Sequence, residues 1–301
     1  MKYTVPKIIK EKKAKKEASI KFWKVFLIQG GLFILASLLA IVSASRLNKL
    51  AKIGKAYLPT TTWQDFLFSF LFVMFFVLIF VLYRNKKANK LKEVIYKGLF
   101  IIIVFWGGMT VMNLFLPVFV AVLIMGIFIV LWLEIPTVWV HNILMILGLS
   151  GAAGFFGLGF TPSIVVALLL IFSAYDFIAV YKTKHMILMA KEMIEKKVIL
   201  GFIIPKEVKY FKDRLAQIKG PNGYPGNFMI LGGGDIIFPS LLAVSVIPSG
   251  FLNSLIIVLF SFLGSLVSYW LFVQQTEKDP IPALPPIALF SIIGYLITLL
   301  F

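Results

Sequence analysis

The sequence predicts an all-α, polytopic membrane protein with about nine transmembrane helices, and three observations predict it. Of 301 residues, 60% are hydrophobic and only 14% charged, with a mean hydropathy of +0.97. Soluble domains run at about 45–50% apolar and about 25% charged. The apolar residues fall into runs near the ~20 residues that cross a bilayer as helix. The basic residues are partitioned unevenly between the two faces that such crossings create.

In chain order the runs lie at 22–44, 64–83, 98–115, 117–133, 138–160, 162–181, 228–248, 251–274 and 282–301. Residues 1–21 hold eight lysines, and the apolar run behind them is about 23 residues long with no small-residue cleavage pattern. It therefore reads as a retained first span behind a basic tail, not a cleaved signal. The stretch 98–133 is too long for one crossing, since 36 residues at 1.5 Å each would extend about 54 Å. Asn113–Pro117 divides it. The start of 138–160 is blurred by Glu134, Pro136, His141 and Asn142, and its glycines from Gly148 to Gly159 let helices pack closely. One long hydrophilic connection, 182–227, carries an amphipathic helix pattern at Met186–Met193 and an apolar patch at Val198–Ile204. Turn residues follow from Gly220 to Gly226. The expected layout is a tail over 1–21, six spans over 22–181, a loop over 182–227 and three spans over 228–301.

Charge orients this layout. With 30 Lys+Arg against 13 Asp+Glu the net charge is +17. If the N-terminus is cytoplasmic, 26 basic residues lie on the cytoplasmic side, and only Arg46, Lys49, Lys52 and Lys55 on the other. The positive-inside rule then places the N-terminus inside and, after nine spans, the C-terminus outside. The basic excess is thus topological, with anionic lipid as a partner for the tail and no nucleic acid expected. The chain has no cysteine, which excludes disulfides, zinc–thiolate and iron–sulfur sites and thiol catalysis.

Of the 13 acidic residues, nine lie in hydrophilic connections, and Asp65 and Glu134 sit at span edges. Asp176 and Asp235 remain, each inside an apolar run. An ionisable group there costs at least ~2.5–3.5 kcal/mol and marks a functional site by default. Read as helices, the sixth span puts Asp176 about 9 Å from the cytoplasmic edge and the seventh puts Asp235 about 12 Å in. Consecutive spans tend to be neighbours, so the two carboxyls can meet, share one proton and titrate as a pair. Such a pair suits an aspartic protease, in which one carboxylate activates water and the other acid polarises the peptide carbonyl. It also suits a proton- or cation-coupled transporter or channel, or a structural hydrogen bond, and the census alone leaves all three open.

Two neighbouring segments bear on the choice. Gly232-Gly233-Gly234, directly before Asp235, is poor helix material that lets another backbone approach. Pro280-Ile281-Pro282-Ala283-Leu284-Pro285-Pro286 discourages helix at the entry to the last span.

Tyr175-Asp176 in a sixth span, Gly232-x-Gly234-Asp235 in a seventh and Pro282-Ala283-Leu284 opening a ninth resemble the YD, GxGD and PAL motifs of the presenilin/signal peptide peptidase family. The resemblance covers essentially the whole chain and is strongest over 162–301. It implies an intramembrane aspartyl endopeptidase that cuts the transmembrane helices of other proteins, without metal or organic cofactor. On that resemblance Asp176 and Asp235 are the catalytic dyad, and Tyr175, Gly232, Gly233, Gly234, Pro282, Ala283 and Leu284 shape the active site and substrate entry. The sequence does not choose whether Tyr175 packs beside the dyad or hydrogen-bonds near it.

The N-inside orientation matches presenilins, whereas Asp235-Ile236-Ile237-Phe238-Pro239 is similar to signal peptide peptidases. With the short 182–227 connection, the mixture looks like a prokaryotic, archaeal-type member in the cell membrane. Presenilins have a longer loop there that is cut during maturation, so that cut is not carried over, and the sequence does not choose whether autoproteolysis or accessory subunits are needed. The middle residue of the GxGD motif is Gly233, often Leu elsewhere.

Two rival protease readings are weaker. Gly148-Leu149-Ser150-Gly151 matches the rhomboid GxSG motif, but the chain offers only His141 and His185 as partners, neither well placed for Ser150. Type IV prepilin peptidases share a GxGD but lack the PAL segment and the nine-span plan.

Overall fold

The computed structural model describes residues 7–58, 61–68, 71, 89–183, 185–218, 226–275 and 280–300. The chain is mostly helical. Its helices are α1 (Lys7–Lys52), α2 (Asn89–Met112), α3 (Val118–Glu134), α4 (Val138–Gly159), α5 (Pro162–Tyr181), α6 (His185–Lys196), α7 (Gly234–Ser245), α8 (Phe251–Gln274) and α9 (Leu284–Thr298). Two strands, β1 (Gly201–Pro205) and β2 (Phe228–Gly232), pair antiparallel. Among the described residues five helical segments are long and apolar enough to cross a membrane: Trp23–Lys52, Glu93–Met112, Val138–Gly159, Pro162–Tyr181 and Phe251–Gln274. Val118–Glu134, Gly234–Ser249 and Leu284–Thr298 are apolar but shorter. The run expected at 64–83 is helical at 63–68 and lies mostly outside the described residues.

Local chemistry explains where the elements start and stop. The lysine-rich tail is helical from residue 7, because Lys, Ala and Glu are good helix formers. α1 ends at Lys52, just before Gly54, whose φ of +70° is the left-handed conformation that closes such an end. Lys55 N–H donates to Leu50 O at 2.9 Å and Gly54 N–H to Ala51 O at 3.0 Å, which satisfies the last carbonyls. The division within 98–133 falls where expected, with α2 ending at Met112 and α3 starting directly after Pro117. Asp65, one of the span-edge acids, accepts from Thr62 Oγ1 at 2.6 Å while its own N–H donates to that hydroxyl, a capping box. It is therefore spent on helix initiation.

α4 is the hub, packed on α1, α2, α7 and β1. Its glycines make this possible, and three of them face three different helices. A Cβ on Gly151 would strike the Gly107 carbonyl of α2, one on Gly154 would sit 3.3 Å from Ala40 O of α1, and one on Gly157 would be 2.6 Å from Val244 of α7. Ser150 donates to Ala36 O at 2.8 Å. His141 accepts from Trp132 Nε1 at 3.3 Å and donates Nε2–H to Gly201 O at 3.0 Å. Both are thus committed to separate structural partners, and a rhomboid-type pairing of Ser150 with His141 is absent.

The structure corrects the sequence reading at the seventh run. The mostly helical fold includes one hairpin here, because residues 228–232 are strand and the helix begins only at Gly234. A short, continuously apolar run does not distinguish helix from strand. Here the partner decides, since the apolar patch in the loop supplies β1, with Ile203 opposite Ile230 and Gly201 opposite Gly232. The glycine triplet then ends the strand. The depth of 12 Å reckoned along a helix therefore does not apply to Asp235.

Candidate active site

Asp176 sits in the last two turns of α5 and Asp235 in the first turn of α7. Both are buried, at 4% and 7% exposure, and close enough to interact electrostatically. The two helices are pinned beside the acids by Phe172 and Phe238, whose rings stack at 4.5 Å and 22°. Phe172 lies one helical turn before Asp176, and Phe238 three residues after Asp235. Pro239, inside α7, has no N–H to give the Asp235 carbonyl four residues earlier, so the helix is loosened where it carries the acid.

The Pro282–Leu284 segment reaches Asp176 directly. Leu284 N–H donates to Asp176 Oδ2 at 3.2 Å, with a further backbone contact from Ala283. The proline pattern explains why this amide is available. The first four N–H groups of a helix have no partner within it. In α9 the second and third positions are Pro285 and Pro286, which have none to offer. Leu284 is thus the one donor at the first three positions of that helix end, and it faces the carboxylate. Asp176 Oδ1 has no hydrogen-bond partner among the described residues.

Asp235 is approached from the glycine side. A Cβ on Gly232 would lie 3.0 Å from Asp235 Oδ2, and the Gly232 backbone hydrogen-bonds that carboxyl. Gly233 N–H donates to Leu200 O at 3.0 Å, continuing the hairpin pairing, and a Cβ there would come within 3.1 Å of the same oxygen. A largely apolar cavity of about 370 Å³ opens on this backbone, lined by Phe100, Trp106, Leu149, Leu200, Gly233 and Gly234 among others. It has room for an apolar side chain beside the glycines that lead into Asp235.

The hairpin is held on one edge by α4. Asn142 bonds Ile203 as a strand would, donating to Ile203 O at 2.7 Å and accepting Ile203 N–H at 2.9 Å. With the Ile203 backbone turned toward Asn142, alternation in an antiparallel pair turns the Ile230 N–H and C=O to the opposite edge, away from β1. β2 therefore presents a strand edge that runs directly to Asp235.

Of the residues expected at the site, Asp176, Asp235, Gly232, Gly233, Gly234, Ala283 and Leu284 come together, and buried Pro282 precedes them. Tyr175 is 48% exposed and points away from the buried face of α5 that carries Asp176. His141 and Asn142 have a role the sequence did not suggest, as anchors of β1. Their signal was two polar residues in the first turn of an apolar helix.

A family model for signal-peptide peptidase, presenilin aspartyl protease matches residues 30–301. Two solved structures of a presenilin family intramembrane aspartate protease, in C222 and P2 crystal forms, superpose with TM-scores of 0.57 each. They are 22% and 24% identical to this chain, covering 91% and 90% of it and 97% and 96% of their own lengths. At that identity the likeness speaks for the fold. No curated protein gives a significant match.

Proposed function

The chain belongs to the signal-peptide peptidase and presenilin aspartyl protease family, and from that premise we propose that Asp176 and Asp235 are the two acids with which it cuts. The protein is an intramembrane aspartyl endopeptidase, and the ion-coupled transporter reading falls away. One observation carries the residue assignment: Leu284 of the Pro-Ala-Leu segment donates its N–H to Asp176, beside a second buried acid that follows the glycine triplet.

The chemistry follows from two carboxyls sharing a proton. The ionised acid takes a proton from water as the water oxygen attacks the scissile carbonyl carbon. The protonated acid hydrogen-bonds the carbonyl oxygen, and collapse of the tetrahedral intermediate breaks the C–N bond as a proton passes to the leaving nitrogen. No metal or organic cofactor enters. A substrate helix must first unwind, because its hydrogen-bonded backbone shields the peptide carbonyl. The exposed backbone then needs partners within the membrane. The outer edge of β2, which no described strand pairs, supports pairing with it as an added strand, and the 370 Å³ cavity supports seating an apolar side chain.

Around this site we place nine crossings, with the span at 64–83 completing those described, the N-terminus cytoplasmic, the C-terminus outside, and a prokaryotic cell membrane as the setting. The tail (1–21) and the 182–227 connection face the cytoplasm, and no accessory subunit is assigned.

The test is cleavage of a single-span substrate by the purified chain in liposomes, comparing wild type with Asp176→Asn and Asp235→Asn. Each variant is expected to lose cleavage entirely while keeping the wild-type melting profile. Cleavage that persists in the double variant would remove both residues from the mechanism.

A further inference from the structure

The peptide unit joining Ala283 to Leu284 is gripped from both ends. Its N–H donates to Asp176 Oδ2 at 3.2 Å, and its C=O accepts from Ser268 Oγ of α8 at 2.9 Å. Ser268 is buried, at 3% exposure, and no sequence motif includes it. Resting on the reading of Asp176 as a catalytic acid, we infer that Ser268 is a positioning residue, setting the orientation of that carboxyl through the 283–284 peptide.

The physical basis is the planarity of the peptide group. Its C=O and N–H are fixed relative to each other, so a bond that holds the oxygen also aims the hydrogen. Hydrogen bonds in series polarise one another, and a donation to the carbonyl oxygen makes the N–H a better donor to Asp176. The segment needs such a hold, since residues 280–283 lie outside α9 and have no helical ladder of their own.

Ser268 has only one proton to give, and Gly264 O on its own helix lies at 3.2 Å. Bonding to the carbonyl four residues back is common for any helical serine. What sets Ser268 apart is the second, nearer carbonyl on another element. Ser261, two turns earlier in α8, provides the contrast. It bonds Ile257 O at 2.7 Å and meets Ser291 of α9 at 2.7 Å, without touching the segment that holds Asp176.

The experiment uses the full chain in liposomes with a single-span substrate, comparing Ser268→Ala, Ser268→Thr and Ser261→Ala with wild type and Asp176→Asn. Four quantities are read: kcat, KM, the pH–rate profile and hydrogen exchange at the Leu284 amide. Ser268→Ala is expected to lower kcat roughly tenfold, about the worth of one hydrogen bond. KM should stay within roughly twofold, one limb of the pH profile should move, and Leu284 should exchange faster. Ser268→Thr, which keeps the hydroxyl, is expected to retain more of kcat than Ser268→Ala, and Ser261→Ala to behave as wild type. Wild-type kcat and Leu284 exchange in Ser268→Ala would overturn the inference. So would a fall in kcat shared equally by Ser261→Ala with Leu284 exchange unchanged, since that is general loosening of α8 against α9. If Asp176→Asn still cleaves, the assignment of the acid fails and takes the inference with it. If Asp176→Asn is dead while Ser268→Ala matches wild type, only the inference fails.

Discussion

At the residue scale, the site depends on how closely two backbones approach two carboxyls. Gly232 shows it best, because the nearest atom to a Cβ there is Asp235 Oδ2, at 3.0 Å. A methyl group therefore presses on the acid and not on the strand. Gly232→Ala is expected to reduce kcat roughly 10–100-fold, the scale of a small misplacement of a reacting group, with little change in melting temperature. An unchanged kcat would show that the carboxyl has room to retreat. Both acids are legible in the sequence because charge inside an apolar run is costly and only these two are so placed. Ser268 is not legible. α8 buries Ser254, Ser261, Ser265 and Ser268 alike, and spacing along one helix cannot say which hydroxyl meets a carbonyl on another.

At the element scale, α4 both packs the helices and braces the strand that leads to Asp235. Its glycine run is readable as a close-packing surface, and the structure sets three of those glycines against three different helices. Gly151→Leu is expected to force α2 away, because backbone, not a flexible side chain, occupies the space. The cost should exceed the ~1–3 kcal/mol usual for overpacking, seen as a large fall in melting temperature or failure to accumulate in the membrane. Asn142→Ala should act differently. It leaves the Ile203 N–H and C=O without partners, at about 1–3 kcal/mol for each buried group, and removes one of the two anchors of β1 on α4, His141 being the other. Lower thermal stability together with reduced cleavage is expected, and undiminished cleavage would show that cleavage does not need the Asn142 brace on β1. The hairpin itself was not legible. Phe228–Gly232 reads as the start of a spanning helix, and only its pairing with a strand from a connection taken as loop makes it β. The entry of α9 was legible, because three prolines at 282–286 leave little choice.

At the scale of the whole molecule, the side of the membrane that the acids face follows from the proposed topology, which rests on charge. In the proposed layout twenty-six basic residues face the cytoplasm and four the outside, the asymmetry that the positive-inside rule favours, and the 182–227 connection is cytoplasmic. β1 belongs to that connection and pairs with β2, which runs into Asp235. Water and product should therefore exchange with the cytoplasmic side. The chain has no cysteine, so single introduced thiols report their side of the membrane without background. Lys55 and Lys212 are both exposed and fall on opposite sides in the proposed layout. In intact cells a membrane-impermeant maleimide is expected to label Lys55→Cys at once and Lys212→Cys only after permeabilisation. The reverse pattern would invert the molecule, deliver cleavage products to the outside, and leave the basic residues of 182–227 in need of another explanation. Because the family match and the pairing of the Pro-Ala-Leu segment with Asp176 do not depend on orientation, that result would correct the topology alone.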